Sequence, residues 1–453
     1  MNINYKIKKL SNGINIIYIP INDNDITCIS VFCKVGSINE NKITKGGSHY
    51  LEHMLFKGTN KRPTSKHIST ELDEVGAYFN AYTDKNLTSY VIKTPSHNAE
   101  NSIKILADML LNSKIDEDEL NNEKQVVIEE INQGKDDPSR KVIEYAYEII
   151  FKNNPLSYSI GSEPENILNL NRQNLYDYYK KYYVSNNITI SIVSNKPYKE
   201  IIKYIKNSDF NNFKSNFNIL HNHVPLPIQD KPRYFVENRN LEQIHLVIGF
   251  PTESMYSEDR FTLDLIKIIL GGNMSSRFFI ALRENNGISY NISMELSFYE
   301  TCGAIFIQTS FNKDSLFIKN ESQYNSDSEL ENIFRNGKFS PGALPIILEN
   351  LKKIKKNPVS EDELKKAKGY IKGSLVLGLE DKHAISDYYG RQVIFNHLPI
   401  HNFKYLIGKY NQITPEKIME ISKKYFNFNK ANYTVIGECD EKYLRRFIQE
   451  YLQ

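Results

Sequence analysis

The first half of the chain opens with two segments in which apolar and polar residues alternate, Gly13–Ile21 and Thr27–Val35. Alternation with a period of two, carried by Ile and Val, is typical of β-strands that bury one face. Further along, the runs Ala77–Tyr82 and Leu87–Thr94 are separated by Asp84-Lys85-Asn86. Two short strands joined by such a polar turn predict a β-hairpin.

Between and after these strands, apolar residues recur at helical spacing. The segment Ser65–Val75 predicts a helix that ends at Gly76, and a longer segment carries Ile103, Leu106, Leu110 and Leu111 on one side. The segment Asp116–Asn132 begins with acidic residues of the kind that cap helices. With a closing strand at Tyr183–Val193, the first half predicts an α+β unit.

The second half repeats this order of predicted elements. Three stretches recur in the same order: Glu117–Leu120 as Glu361–Leu364, 244 residues later, Gly76–Asn80 as Gly287–Asn291, and Tyr182–Asn195 as Tyr425–Glu438. The echoes predict two tandem homologous α+β units, each an antiparallel sheet packed against helices. We place the units at residues 1–215 and 216–453, joined by a polar, Pro-containing stretch.

Length and charge narrow the class of protein. A chain of 453 residues is too long for one core, and its net charge of +3 gives no reason to expect a nucleic-acid partner. The N-terminus lacks the features of a signal or transit peptide, and no apolar run approaches 18 residues. We therefore expect no membrane insertion and a cytoplasmic location. The four scattered cysteines are expected to be structural thiols: Cys28, Cys33, Cys302 and Cys439.

The most specific chemical signal lies in Gly46–Phe56, where His49 and His53 are four residues apart. Four residues is close to one helical turn, so both imidazoles can reach one metal ion. The order H-x-x-E-H is the reverse of the commoner H-E-x-x-H and is known as the inverzincin motif. Glu52 points to the side and is well placed to take a proton from metal-bound water and pass it to a leaving amine. The alternative is a surface helix with two solvated histidines.

A hydrolytic zinc site usually takes a third protein ligand and leaves one position for water. The helix predicted at 116–132 offers three carboxylates, Glu123, Glu129 and Glu130. Glu123 and Glu130 are seven residues apart and share a face, whereas Glu129 is rotated by about 100°. We expect Glu130 to be the ligand and Glu123 to stand behind it, orienting a ligand or water.

The second copy lacks this whole set of residues. In place of the motif it has an apolar helix without histidine, Phe261–Leu270, and the 244-residue offset pairs Glu123 with Ala367 and Glu130 with Ser374. The joint loss indicates that the two histidines and two carboxylates form one site. The sequence therefore predicts an amide hydrolase with one Zn²⁺ per chain, held by unit 1–215 and absent from unit 216–453.

With a Glu 77 residues after the second histidine, the motif resembles that of the pitrilysin/insulinase family of zinc peptidases. The surrounding segments match as well: Gly36-Ser37, Leu55–Thr59, Asn80–Thr83 and Val126–Ile131. The resemblance covers nearly the whole chain and implies a processing-peptidase-like metallohydrolase fold. It implies a zinc endopeptidase with His49, His53 and Glu130 as ligands and Glu52 as general base, with the family's further Glu at Glu123.

The resemblance also implies how substrate is held. The family uses an Arg and a Tyr seven residues apart in the second unit, which here are Arg283 and Tyr290. It binds peptide as an added strand on a sheet edge, which falls on Asn80 and Ala81. In members of this length two chains close around a chamber, so we expect a homodimer. A heterodimer with a non-catalytic homologue is the alternative.

Two other functions stay open: a non-catalytic scaffold subunit of a larger complex, or a catalytic chain that needs a partner subunit. The intact motif speaks against the scaffold. A polar stretch at about 312–341 is expected to be a solvated loop inserted in the second unit. His221 and His223 lie in the predicted linker and are not expected to bind metal.

Overall fold

The computed structural model describes residues 3–216, 219, 224–318, 341–396 and 399–452. Its contacts form two compact units. The first comprises Met1–Gln133, Tyr158–His223 and Ser374–Leu406, and the second comprises Gly134–Ser157, Val224–Gly373 and Ile407–Gln453. The linker histidines His221 and His223, and residues 319–340 of the predicted polar insert, lie outside the described residues.

The strands are β1 (Lys6–Lys9), β2 (Asn15–Pro20), β3 (Ile26–Cys33), β4 (Tyr78–Thr83), β5 (Thr88–Pro95), β6 (Ile188–Ser194), β7 (Arg233–Glu237), β8 (Gln243–Thr252), β9 (Ser289–Phe298), β10 (Gly303–Asn312) and β11 (Asn432–Ile436). The first six form one sheet and the last five form the other.

The described helices are α1 (Gly47–Met54), α2 (Ser65–Asp73), α3 (Ala99–Asn112), α4 (Glu117–Asp136), α5 (Pro138–Ile150), α6 (Pro164–Asn169), α7 (Arg172–Tyr182), α8 (Tyr198–Lys206), α9 (Asp259–Gly271), α10 (Arg277–Phe279), α11 (Ala343–Lys356), α12 (Glu361–Gly378), α13 (Lys382–Ile394), α14 (Phe403–Gln412), α15 (Pro415–Tyr425) and α16 (Glu441–Leu452). Among the described residues, no helix is long and apolar enough to cross a membrane.

The first unit has the strand order β1-β2-β6-β3-β5-β4. Its neighbours are antiparallel except for β2 and β6, which run parallel. The α+β class is confirmed, but the expectation of a purely antiparallel sheet is wrong for this pair of strands. A parallel pair needs a long crossover, which the helices between β2 and β6 supply.

The second unit repeats five of the six strands of the first, all except β1. Its order β7-β11-β8-β10-β9 matches β2-β6-β3-β5-β4, and β7 and β11 are again the parallel pair. The starts of α12 and β11 fall 244 residues after those of α4 and β6. Gly76 (φ +62°) and Gly287 (φ +61°) lead into β4 and β9, each the last strand of its sheet. The tandem repeat predicted from the sequence is therefore present in the topology.

The compact units are interleaved along the chain. Helix α5 packs on the second sheet, where Gly249 of β8 leaves room for Ile150; a Cβ at position 249 would lie 2.3 Å from its Cδ1. Helix α13 packs on the first sheet, where Gly390 leaves the same kind of room for Phe32 of β3. The boundary between residues 215 and 216 divides the chain by its sequence repeat and not by its compact units, and it stays a prediction.

Candidate metal centre

The start of helix α1 is fixed by residues that leave it little freedom. Gly46, just before the helix, has φ +79°, and a Cβ there would lie 2.6 Å from a methyl group of Ile167. The buried carboxylate of Glu40 accepts hydrogen bonds from the backbone N–H groups of Gly46 (2.8 Å) and Ser48 (2.9 Å). A carboxylate at the N-terminus satisfies N–H groups that have no partner within the helix.

The inner face of α1 is apolar, with Tyr50, Leu51 and Met54 fully buried. Burial of that face leaves His49, Glu52 and His53 on the opposite side, only partly exposed.

Helix α4 lies beside α1 and supplies the carboxylates. Its apolar residues Leu120 and Val127 are buried, and the hydroxyl of Tyr50 on α1 donates to the carbonyl of Leu120. Glu123 and Glu130 follow on the same side of the helix, seven residues apart, and both reach the histidines of α1. The exposed Glu129 is on another face.

Three donor atoms converge between the two helices. The Nε2 atoms of His49 and His53 are 3.3 Å apart, and each is 3.6 Å from Oε2 of Glu130. A point equidistant from the three atoms in their plane lies about 2.0 Å from each, which matches the Zn–N and Zn–O bond lengths of about 2.0–2.2 Å. Among the described residues this is the one group of three or more His, Cys, Asp and Glu side chains with such convergence.

Glu123 is not part of that triangle and contacts the far side of His53. The Nδ1 atom of His53 lies 2.9 Å from Oε1 of Glu123, and the ammonium of Lys57 pairs with Oε2. When Nδ1 carries the proton and donates a hydrogen bond to Glu123, the Nε2 lone pair is left to face His49 and Glu130. With His49 in the same tautomer, lone pairs of all three donor atoms face one point, an arrangement that suits a bound cation.

The charges around the site shift the pKa values of its groups. Burial disfavours charged His53, but the hydrogen bond to Glu123 and the nearby carboxylates raise its pKa overall. Burial pushes the pKa of Glu123 up, yet its hydrogen bonds to His53 and Lys57 and their charges bring it below its ordinary value. Glu123 is therefore held as a carboxylate, the form that accepts a hydrogen bond from His53.

Glu52 lies beside the three donors and belongs to a separate contact. Its Oε2 accepts a hydrogen bond of 2.5 Å from the hydroxyl of Thr83, at the end of β4. Burial raises the pKa of Glu52, and the charge of Glu130 adds to that effect, while the Thr83 hydroxyl and His53 oppose it. A carboxylate with a raised pKa beside a metal site is suited to proton transfer.

The strand β4 forms the outer edge of the first sheet, as the resemblance implies for Asn80 and Ala81. The carbonyl oxygen of the Asn80 side chain accepts a hydrogen bond (2.8 Å) from the backbone N–H of Ala81. Ala81 and Thr83 are two residues apart and point to the same face, towards Glu52, whereas Asn80 points to the opposite face. Because their side chains point to opposite faces, Asn80 and Ala81 share only the main chain of this edge strand as a surface for a peptide.

In the second unit the structure brings Arg283 and Tyr290 together. Arg283 lies in a π-helical turn, Ile280–Glu284, that follows α10. Its guanidinium donates to the carbonyl of Tyr290 (3.3 Å) and stacks over the ring at 4.4 Å. Tyr290 is 78% exposed on the edge strand β9. π-Helical turns occur frequently at functional sites.

Lys57, Thr83 and Glu40 were missed by sequence reasoning. Lys57 lies just after α1 in the matching segment Leu55–Thr59, and Thr83 ends the matching segment Asn80–Thr83, so the resemblance could have indicated both. Glu40 reaches α1 from outside these segments, and its position along the chain carries no signal.

The chain matches known proteins over most of its length. Residues 16–163 match the family described as insulinase (peptidase family M16), and residues 169–370 match the peptidase M16 inactive domain. An uncharacterized zinc protease of Rickettsia bellii is 31% identical over 422 residues, covering 92% of this chain and 91% of that protein. An uncharacterized zinc protease of Bacillus subtilis is 28% identical over 410 residues, covering 89% and 91%.

Among solved structures, a protease from Helicobacter pylori has a similar fold, with a TM-score of 0.80 at 20% identity. The match covers 96% of this chain and 100% of that one.

Proposed function

The chain belongs to the insulinase family, peptidase family M16, and from that premise we propose that it is a zinc-dependent endopeptidase that cleaves extended peptides. The observation that carries the proposal is the triangle of His49 Nε2, His53 Nε2 and Glu130 Oε2, with Glu52 beside it. The donor set of two imidazoles and one carboxylate is that of catalytic zinc sites, which leave a fourth position open.

His49, His53 and Glu130 would hold the ion, one per chain. When bound there, zinc supplies a Lewis acid that polarises the scissile carbonyl and makes water a stronger acid. Glu52 takes the proton of the attacking water and gives it to the departing amine. Glu123 keeps His53 in the tautomer whose Nε2 is free to coordinate.

The substrate would add as a strand to the edge of β4, pairing its main chain with residues around Asn80 and Ala81. Pairing through the backbone selects for an extended peptide and tolerates many side chains. Arg283 and Tyr290, joined in the second unit, would hold the substrate near the scissile bond, and a Tyr hydroxyl can donate to the oxyanion that develops there.

Cleavage of an unstructured fluorogenic peptide tests the proposal. The purified, zinc-loaded chain is expected to cleave it, to stop when zinc is chelated, and to resume when zinc is returned. Glu52→Gln should retain one zinc per chain yet lose activity. Cleavage that survives Glu52→Gln would refute the role of this base. A wild-type chain that binds zinc and cleaves nothing alone would favour the partner-requiring alternative.

We propose further that two copies of this chain assemble and that each provides Arg283 and Tyr290 to the zinc site of the other. The support is that one sequence carries both the zinc ligands and the Arg/Tyr pair, so no separate partner is needed. Mixing Glu52→Gln with Arg283→Ala chains tests this, because one of the two sites in a mixed dimer is then intact. Recovered activity supports the homodimer; none, with mixed dimers shown by mass, contradicts it.

A further inference from the structure

A hydroxyl of the edge strand β4 bonds a side chain of helix α1. Thr83, the last residue of β4, donates to Oε2 of Glu52 at 2.5 Å. Its backbone is held by the hairpin, where it pairs with Thr88 of β5, and the hydroxyl of Thr88 donates to the carbonyl of Val35 (2.9 Å). The donor therefore stands on a fixed element.

This contact decides which oxygen of Glu52 is available. A Glu side chain turns about three bonds, and a hydrogen bond to one oxygen removes most of that freedom. With Oε2 held by Thr83, no hydrogen bond from the described residues reaches Oε1. Oε1 is then the oxygen that can exchange a proton with water.

A second contact joins β4 to the turn that follows α1. Phe79 of β4 stacks on Phe56, just after α1, with ring centroids 6.3 Å apart. Phe79, Ala81 and Thr83 share one face of the strand, and the residues between them share the other. The base is thus anchored to the strand whose outer edge would receive the peptide.

We infer that Thr83 is a positioning residue that sets the carboxylate of Glu52 in register with a peptide added to β4. The inference rests on the proposed function, since it assigns a partner to the proposed base. Proton transfer depends steeply on geometry, and a displacement of about 1 Å can cost about 100-fold in rate. Thr83 would act on the chemical step rather than on peptide docking.

Thr83→Val, which keeps the shape and removes the hydroxyl, is the test, with Thr83→Ser as the variant that restores it. We expect Thr83→Val to lower kcat by roughly 10- to 100-fold with little change in KM, and Thr83→Ser to recover most of kcat. Zinc content should be equal in all three chains. Thr94→Val is the matched control, because Thr94 lies buried in the same hairpin and, within the described residues, its hydroxyl has no hydrogen-bond partner.

Peptide docking is measured separately in the inactive Glu52→Gln chain. Adding Thr83→Val there should leave the Kd for an uncleaved peptide unchanged. An unchanged kcat in Thr83→Val overturns the inference. So does a loss that Thr83→Ser shares, which would indicate a purely structural role, or a weakened Kd, which would place Thr83 in docking.

Thermal unfolding gives a readout that does not depend on activity. Thr83→Val should lower the unfolding midpoint of the wild-type chain, but not that of Glu52→Ala, where there is no carboxylate to bond. Additive midpoint shifts in the double variant overturn the contact. If no form of the chain cleaves peptide, the proposed function fails, while this cycle still decides whether Thr83 holds Glu52.

Discussion

The contact between Glu123 and His53 allows us to predict how each substitution of a glutamate on α4 changes the affinity for zinc. The side chain of Glu123 is only 8% exposed, and its two oxygens are divided between His53 and Lys57. Loss of such a carboxylate behind a ligating histidine typically weakens metal binding by about 10- to 100-fold, or about 1.4–2.8 kcal/mol. We expect Glu123→Ala to lie near the upper end, because the charge of Lys57 is then left unpaired beside the cation.

Glu123→Gln should lie near the lower end of that range. The amide keeps an oxygen that can accept from Nδ1 of His53, but it turns an NH₂ group towards the ammonium of Lys57. Glu129→Gln, the same change on an exposed face of α4, should leave zinc affinity unaltered. Glu130→Gln removes one of the three converging donors and should weaken binding the most.

Competition for zinc with a chromophoric chelator, at one pH and ionic strength, measures all of these variants. The expected order of affinity is wild type and Glu129→Gln, then Glu123→Gln, then Glu123→Ala, with Glu130→Gln the weakest. The reasoning is refuted if Glu123→Ala binds zinc within threefold of the wild type, or if Glu129→Gln loses as much as Glu123→Gln.

Four other outcomes concern stability. Gly46→Ala should lower the unfolding midpoint, since φ is +79° and the new Cβ would meet Ile167; such strain costs about 1–3 kcal/mol. Arg62→Met leaves the carboxylate of Asp108, 1% exposed, without its cation and should cost about 3–5 kcal/mol in urea unfolding. Burial raises the pKa of Glu40 from 4.5 to about 7, so its contribution to stability is present at low pH and lost as pH rises through 7; in Glu40→Gln the unfolding midpoint should vary less between pH 5 and 8. Chelation should lower the midpoint by the equivalent of about 4 kcal/mol if free zinc stood at 1,000 times its Kd.

Gly46→Ala, Arg62→Met and Glu40→Gln each have a matched control variant. Gly47→Ala adds a Cβ whose nearest neighbour would be 3.7 Å away, and it should be better tolerated than Gly46→Ala. Arg140→Met removes a mostly exposed cation and should cost little. Glu74→Gln, at an exposed position, should not alter the pH profile. Equal effects in variant and control would contradict the arguments from strain, burial and titration.

Local patterns predicted much of the fold. Alternation located β2, β3 and the β4–β5 hairpin to within a few residues, and the acidic start of α4 was found one residue early. The strand β1 was missed because Lys6–Lys9 is short and mostly charged, with no apolar face to detect. The parallel pairs and the interleaving of α5 and α13 were missed because pairing between distant segments leaves no local period.

For the site, spacing along single helices was enough to propose His49 and His53, and it left three carboxylates as candidates for the third ligand, of which Glu130 was expected. The structure brings His49, His53 and Glu130 together. It could not tell what each carboxylate touches. That Glu123 contacts Nδ1 of His53 and that Glu52 contacts Thr83 depends on how α1, α4 and β4 pack. Contacts across elements are set by tertiary geometry, and one sequence records them only indirectly.

The interleaving of the two units has a consequence for how the protein is made. The first sheet is covered by α13, where Ser386 bonds Ser30 (2.9 Å) and Lys382 donates to the carbonyl of Ile26 (2.9 Å). During synthesis the ribosome completes all of β1–β6 long before it reaches α13. The nascent first unit must therefore wait with that face of its sheet uncovered, open to chaperones or to aggregation. For the same reason, a fragment that stops at the repeat boundary should not fold as a free-standing domain.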